Sequence, residues 1–262
     1  MILFRKRVIH LAEIRFARET SEAIHEGQNL GIDVLYLLQN REPVPFARIT
    51  DSYTLTIDLS PGEESLFAGF DKTTRYEIRR AEEKDGLRYR SWRSPDQAKV
   101  NEFLRFFNEF ARTKGLKPPS RHALEVYSNA GVLDLSHADS GEGTSLVWHA
   151  HHVENGRARL LLSCSLKSLN EQEQRKLVGR ANRALHWNDM RHFKSEGLAI
   201  YDFGGWYPGK DDSAKLGINA FKEGFGGKLE KTFNCELALT TRGKVYTLLK
   251  QARLRFQPIN RD

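Results

Sequence analysis

An α/β fold, a mixed sheet flanked by helices, is predicted by three features of the sequence. Strand-length runs recur along the chain, either wholly apolar as at residues 34–38 (VLYLL) or alternating as at 53–59 (YTLTIDL). From residue 95 onward they interleave with stretches of helical periodicity, and Gly, Pro, Asn and Asp punctuate the junctions. The resulting order of helix, helix, three strands, helix, strand, helix, strand is that of a layered α/β domain.

Residues 5–59 read mostly as extended segments. Pro61 opens a short helix, and residues 72–84 form a second whose face carries Arg75 and Arg79 at helical spacing with Arg80 beside them, until Asp85-Gly86 stops it. Residues 87–92 (LRYRSW) read as a strand. Ser94-Pro95-Asp96 then caps a helix on which Val100, Phe103, Leu104, Phe107 and Phe110 make an apolar stripe. Pro118-Pro119-Ser120 separates it from a shorter helix near residues 122–129. Strands follow at 132–135, 145–153 and 157–165, the last two joined by Glu154-Asn155-Gly156, a hairpin signal. A long helix from about 170 to 195, a strand at 198–203, a helix at 213–223 and strands near 228–239 complete the layout. No internal repeat or low-complexity tract interrupts it.

A chain of 262 residues with 39% hydrophobic and 29% charged residues is long enough for one large or two small domains. Its longest apolar stretches, such as Leu160-Leu161-Leu162, are strand-sized and too short to span a bilayer. The N-terminus turns basic at Arg5-Lys6-Arg7 before an apolar segment develops, so a secretory signal is not expected and the cytoplasm is the expected location. Cys164 and Cys235 lie in apolar runs without metal-ligand spacing and are expected to be buried free thiols. The net charge of +7 favours anionic partners: phosphorylated cofactors, nucleotide-linked substrates, RNA or an acidic membrane surface.

The most site-like segment is Tyr201-Asp202-Phe203-Gly204-Gly205-Trp206, followed by residues 218–227 (INAFKEGFGG). A strand ending in a carboxylate and two glycines, an exposed loop and a helix stopped by glycines bring backbone and charge close to a ligand. Together with Leu185-His186-Trp187, Phe221-Lys222-Glu223-Gly224-Phe225-Gly226 and the basic helix 74–81 (TRYEIRRA), this order of motifs resembles the FemABX-like branch of the GNAT acyltransferase superfamily, over about residues 72–250. The resemblance implies a GNAT-type mixed sheet in a domain at 95–262, with residues 1–94 as a reduced N-terminal GNAT-like unit. It also implies an acyltransferase that holds no permanent cofactor and uses acyl-CoA, such as acetyl-CoA, as co-substrate. The acceptor would be an amine on an amino sugar or a nucleotide-linked cell-envelope precursor. Aminoacyl-tRNA is the alternative donor within the branch, although no long helical arm or concentrated basic tract is present to hold tRNA. A catalytically silent binding module for nucleotide or RNA is the alternative outside enzymology.

Asp202 would orient the attacking amine or accept its proton, or else satisfy the N–H groups of the loop at Gly204 and Gly205. Lys222 stands on a helix whose Ile218 and Phe221 are expected to face the core and, by the resemblance, would neutralise negative charge near the reacting centre. Trp206, Tyr207 and Lys210 are placed to hold acceptor, with Phe221 as a platform or a core residue and Arg75 and Arg79 as phosphate forks. The cofactor loop of the family has an approximate echo in Lys176 and Gly179, with Ser165 at the strand-to-helix turn where a pyrophosphate would sit. In Trp148-His149-Ala150-His151-His152, strand geometry sends His149 and His151 to one face. Either could serve as a base, the unperturbed imidazole titrating at about 6.5. Two such histidines are half a metal site, but no third ligand stands at a defined spacing, and no metal is expected.

Overall fold

A computed structural model of the chain describes residues 1–166 and 172–255, the side chains of 254 and 255 excepted. The chain divides into two compact units, residues 1–52 with 231–262, and residues 53–230. The boundary expected at 94/95 falls inside the second unit.

In the first unit β1 (Ile2–Lys6), β2 (Ile9–Arg15), β3 (Val34–Asn40) and the unit's part of β10 (Lys228–Ala238) stand in that order, with β2 and β3 parallel and the other pairs antiparallel. Ala12, Leu35, Leu37 and Cys235 bury one face of this sheet against Ala23 of α1 (Thr20–Asn29). Two helices here correct the sequence-based layout. The segment read as extended contains α1, and α8 (Thr241–Arg255) follows the last strand. Both hide from periodicity for the same reason: α1 buries only Ala23 and Gly27, while α8 leaves Val245, Leu248 and Leu249 exposed.

The second unit carries the order β4 (Arg48–Asp58), β9 (Ile200–Gly205), β8 (Arg157–Ser165), β7 (Ser145–Glu154), β6 (Leu133–Asp139), β5 (Arg88–Arg93). All neighbours are antiparallel except β8 and β9. Asn155 and Gly156 take φ of 53° and 75° in the β7–β8 hairpin, the left-handed pair that such a turn requires. On one face lies α4 (Gln97–Lys114), started by the Asp96 carboxylate accepting from Lys99 N at 2.7 Å and carrying the expected stripe, with Phe103 against Trp148. Beside it is α5 (Arg121–Asn129). The other face takes α6 (Gln172–Ser195), whose expected first residues, like most of the turn at 165–170, fall outside the described ones.

Trp187 of α6 packs edge-on to Phe70, which follows α2 (Glu63–Ala68), and Phe70 meets Phe225 after α7 (Ser213–Glu223). With Tyr201, Phe203 and Phe193 these rings form the main core of the unit, so the recurring aromatic motif positions first build a scaffold. Asp212 caps α7 by accepting from Lys215 N. The helix is inverted relative to an ordinary amphipathic one: Asn219 and Lys222 are buried while Ile218 is 55% exposed. Ile218 therefore does not face the core as its spacing predicts.

Candidate active site

Parallel pairing of β8 with β9 lasts for three residue pairs, Arg157 with Ile200, Ala158 with Tyr201 and Arg159 with Asp202, and then stops. The strands part beyond it. Gly204 marks the point of divergence: its φ is +75°, and a Cβ there would lie 2.6 Å from the carbonyl oxygen of Leu160, so only glycine fits. The gap opens into a cleft of about 490 Å³, walled by Leu160, Leu161 and residues 163–165 of β8, Phe203 and Gly205 of β9, Phe110 of α4, Asn182 and His186 of α6, and Ile218, Phe221 and Lys222 of α7. The apolar side that α7 leaves uncovered is thus one wall of the cleft. A second cavity of about 350 Å³ shares Phe110 and Ser165 with it and adds Lys114 and Arg175.

Asp202 sits at the closed end of the strand pair, not in the cleft. Fully buried, its carboxylate accepts from Arg157 Nη2 at 2.6 Å and Nε at 2.9 Å, from Arg159 Nη1 at 3.2 Å, from Gly204 N at 2.8 Å and from the Thr54 hydroxyl. Burial alone would raise its pKa, but Arg159, Arg157 and these hydrogen bonds outweigh it and hold the carboxyl below the usual range. A carboxylate gripped this way is suited to pinning strands and the Gly204 loop, and ill suited to taking a proton.

Lys222 lines the cleft while 7% exposed, its Nζ donating to the carbonyl of Gly205. Desolvation, reinforced by the Arg159 charge, lowers its pKa to about 8. Phe221 is a cleft wall, with the Arg183 guanidinium 4.8 Å from its ring centroid. Cys164, also on the wall, is 1% exposed and its thiol is pushed well up by burial, which leaves it inert as a nucleophile; Cys164 and Cys235 are both free and buried, as expected.

The remaining predicted residues scatter. Ser165 reaches both cavities, whereas Lys176 and Gly179 border a separate surface depression, where Lys176 pairs with Glu173. On α3 (Lys72–Glu83), Arg75 donates to the carbonyls of Ala68 and Phe70 and so finishes α2, and Arg79 lies over Phe67 at 5.3 Å. Neither borders the cleft. Trp206 packs on the aromatic core, Tyr207 is fastened to α7 by a two-way hydrogen bond with Asn219, and Lys210 is exposed. His149 and His151 share a face as predicted, but both are fully buried beneath α6 and neither borders the cleft, so a base at either has no direct path to an acceptor. The histidine that does line the cleft is His186, kept neutral because burial lowers its pKa well below the usual value. It stood in the Leu185-His186-Trp187 motif, where the only available signal was its place one residue before a core tryptophan.

No family profile and no curated protein matches the sequence. Solved structures do match in shape. FemX aligns at a TM-score of 0.66 over 95% of this chain and 86% of its own, with 12% identity. L-PGS from Bacillus licheniformis aligns at 0.55 over 95% and 84%, with 14% identity. The C-terminal domain of a putative lysylphosphatidylglycerol synthetase from Agrobacterium fabrum aligns at 0.54 over 94% and 81%, with 13% identity. The chain therefore has the FemX-like, GNAT-type α/β fold that its motifs resemble. No helix among the described residues is long and apolar enough to cross a membrane.

Proposed function

We propose that the chain is an N-acyltransferase that moves an acyl group from a CoA thioester to an amine within the β8/β9 cleft. The observation that carries this reading is the parting of the two strands after Arg159 and Asp202, which opens a largely apolar pocket beside a buried, cleft-facing lysine. Apolar walls suit an acyl chain and exclude water from the reacting carbonyl. The adjoining cavity, which shares Phe110 and Ser165 with the cleft, supplies positive charge from Lys114 and Arg175 for the phosphates of a carrier.

Direct transfer asks little covalent chemistry of the protein. The amine forms a C–N bond to the carbonyl carbon, the tetrahedral oxyanion collapses, and the C–S bond breaks to release thiolate. Lys222, with a pKa of about 8, is close to the roughly 8.5 of a thiol, so its ammonium is matched to stabilise negative charge and to protonate the departing sulfur, after which the neutral Lys222 amine takes up the proton that the acceptor nitrogen sheds. Tyr207 and Lys210, in the loop that follows β9, are assigned to the acceptor, an amino sugar or nucleotide-linked envelope precursor.

A second reading, aminoacyl-tRNA as donor, is favoured by the likeness to FemX and to the two lysylphosphatidylglycerol-synthetase-type structures, and by Arg175, Lys176 and Arg183 around one surface depression. Calorimetry at fixed, near-physiological salt with CoA, acetyl-CoA and bulk tRNA separates the two, since nonspecific RNA binding depends steeply on salt. Saturable binding of acetyl-CoA without tRNA binding is expected. Salt-resistant tRNA binding with none to CoA would replace the first reading by the second, and binding of neither would return the silent-module alternative.

A further inference from the structure

Behind the inner wall of the cleft lies a polar cluster that acyl transfer leaves unused. His149 of β7 and His186 and Asp189 of α6 each present one ligand atom, all within 4.8 Å of one another, and their residues are 0%, 2% and 3% exposed. The i, i+3 spacing of His186 and Asp189 sets both on one face of α6. His149 faces them because strand alternation turns Trp148 and His149 to opposite sides of β7, Trp148 meeting α4. The third ligand missing from the histidine-rich strand is thus supplied by a helix some forty residues away in sequence, and His186 rather than His151 completes the imidazole pair.

Two further observations point to a bound cation. His149 Nε2 lies 2.9 Å from Asn182 Oδ1, and with that oxygen accepting, the ring proton is on Nε2. Its Nδ1 then turns a lone pair toward Asp189 Oδ2 at 2.7 Å, an arrangement that repels unless a positive charge stands between them. Asp189, meanwhile, has only imidazoles within ion-pair distance among the described residues: His149, and His151 at 3.7 Å. A carboxylate buried with no Lys or Arg within ion-pair distance among the described residues needs a positive charge from elsewhere, because an uncompensated buried charge is strongly unfavourable. His186 is held from outside in the same fashion as His149, its Nδ1 2.7 Å from the Tyr201 hydroxyl. An outer hydrogen bond at one imidazole nitrogen, leaving the other for a metal, is the arrangement usual for metal-ligating histidines.

We propose that His149, His186 and Asp189 bind a divalent transition metal, with zinc the ion that two imidazoles and one carboxylate fit best. The fourth position would open on the side where His186 and Asn182 border the cleft. Tetrahedral coordination needs the Nδ1 to Oδ2 separation to widen to roughly 3.3 Å, within reach of small side-chain rotations. The inference is independent of the transferase reading.

The test is metal analysis of untagged protein, purified without chelator, by inductively coupled plasma mass spectrometry, followed by titration of stripped protein with Co(II). About one equivalent of zinc and a visible Co(II) absorption band are expected. Asp189→Asn and His186→Gln should abolish both, Asn182→Ala should weaken binding about 10- to 100-fold through the loss of an outer-shell partner, and His122→Gln, at an exposed position, should change nothing. Wild-type protein that takes up neither zinc nor cobalt overturns the proposal, leaving a proton between His149 and Asp189. So does metal retained in folded Asp189→Asn or His186→Gln protein. Should those variants fail to fold, X-ray absorption of the zinc-loaded wild type decides: two imidazole nitrogens with oxygen at about 2.0–2.2 Å is expected, and a shell of sulfur or water alone refutes it.

Discussion

Between Arg157 and Arg159, β8 is tied to β9 by ladder pairing and by two guanidiniums converging on Asp202; from Leu160 onward the same two strands separate and apolar side chains line the gap. The closed end is charged, fully buried and saturated with hydrogen bonds. The open end is apolar and Lys222, the one cation that lines it among the described residues, is partly desolvated. The contrast shows how a sheet can hold an opening in its middle: a polar lock at one end ties the strands together, and beyond it no described side chain fills the gap. It also separates two carboxylate and ammonium roles that sequence placed together, since Asp202 belongs to the lock and Lys222 to the cleft.

Breaking the lock should have the largest effect. Asp202→Asn leaves the largely buried guanidiniums of Arg157, which keeps Glu230 as a partner, and Arg159 facing a neutral amide, and a loss of about 3 kcal/mol in unfolding free energy is expected. Urea denaturation reads it, and a variant as stable as the wild type would mean that the lock does not hold the strands. The pH dependence has a definite sign. Because the folded carboxyl is held below its unfolded value of about 3.9, its contribution is present above that pH and disappears as pH falls through the folded value. Stability of the wild type should therefore drop more steeply than that of the Asn variant on acidification below about pH 4.

Lys222→Met probes the open end alone. The expected result is a loss of kcat of about 100-fold, on the order of 3 kcal/mol for a removed charge-stabilising donor, with the fold as stable as before or more so. The linkage has the same sign here but lies in an alkaline window. The folded pKa of about 8 lies below the unfolded value, so the unfolded chain binds more protons between the two. Wild-type stability should rise with pH from about 8 to 10.5, and that rise should vanish in the Met variant. Unaltered kinetics with a working substrate pair would make Lys222 a structural residue.

At the junction of the two regions, Gly204→Ala forces a residue with a side chain into φ of +75° and against the Leu160 carbonyl, and about 1–3 kcal/mol of destabilisation is expected in thermal melts. Smallest is Gly217→Phe. A Cβ at Gly217 meets nothing within 4 Å, and the residue borders the cleft. Filling that space should raise KM for the donor about tenfold, roughly 1.4 kcal/mol, at unchanged melting temperature; an unchanged KM would place the donor elsewhere.

Much of this comparison could be read from the sequence. Strands and helices with an apolar face appeared near their true positions: 157–165 and 213–223 match β8 and α7, and Asp96 and Asp212 cap the helices they precede. What escaped was whatever depends on distant partners. The role of Asp202 turns on Arg157, Arg159 and Thr54, which lie 45, 43 and 148 residues away in sequence. Arg75 read as a phosphate fork because its true partners are carbonyl groups, which leave no trace in side-chain pattern. Ile218 was assigned to the core because periodicity reports burial against something, and cannot distinguish the protein's own interior from a cleft. The i, i+3 pair His186 and Asp189 was visible all along, but only β7 packed beneath α6 gives it meaning.

The most direct test of the account is a crystal structure with a non-transferable thioether analogue of acetyl-CoA. The account predicts its acyl carbonyl between residues 160–165 and 203–205, within reach of Lys222 Nζ, with the phosphates near Lys114 and Arg175. An analogue bound with its acyl end outside that gap, or along the surface around Lys176 and Gly179, would contradict it.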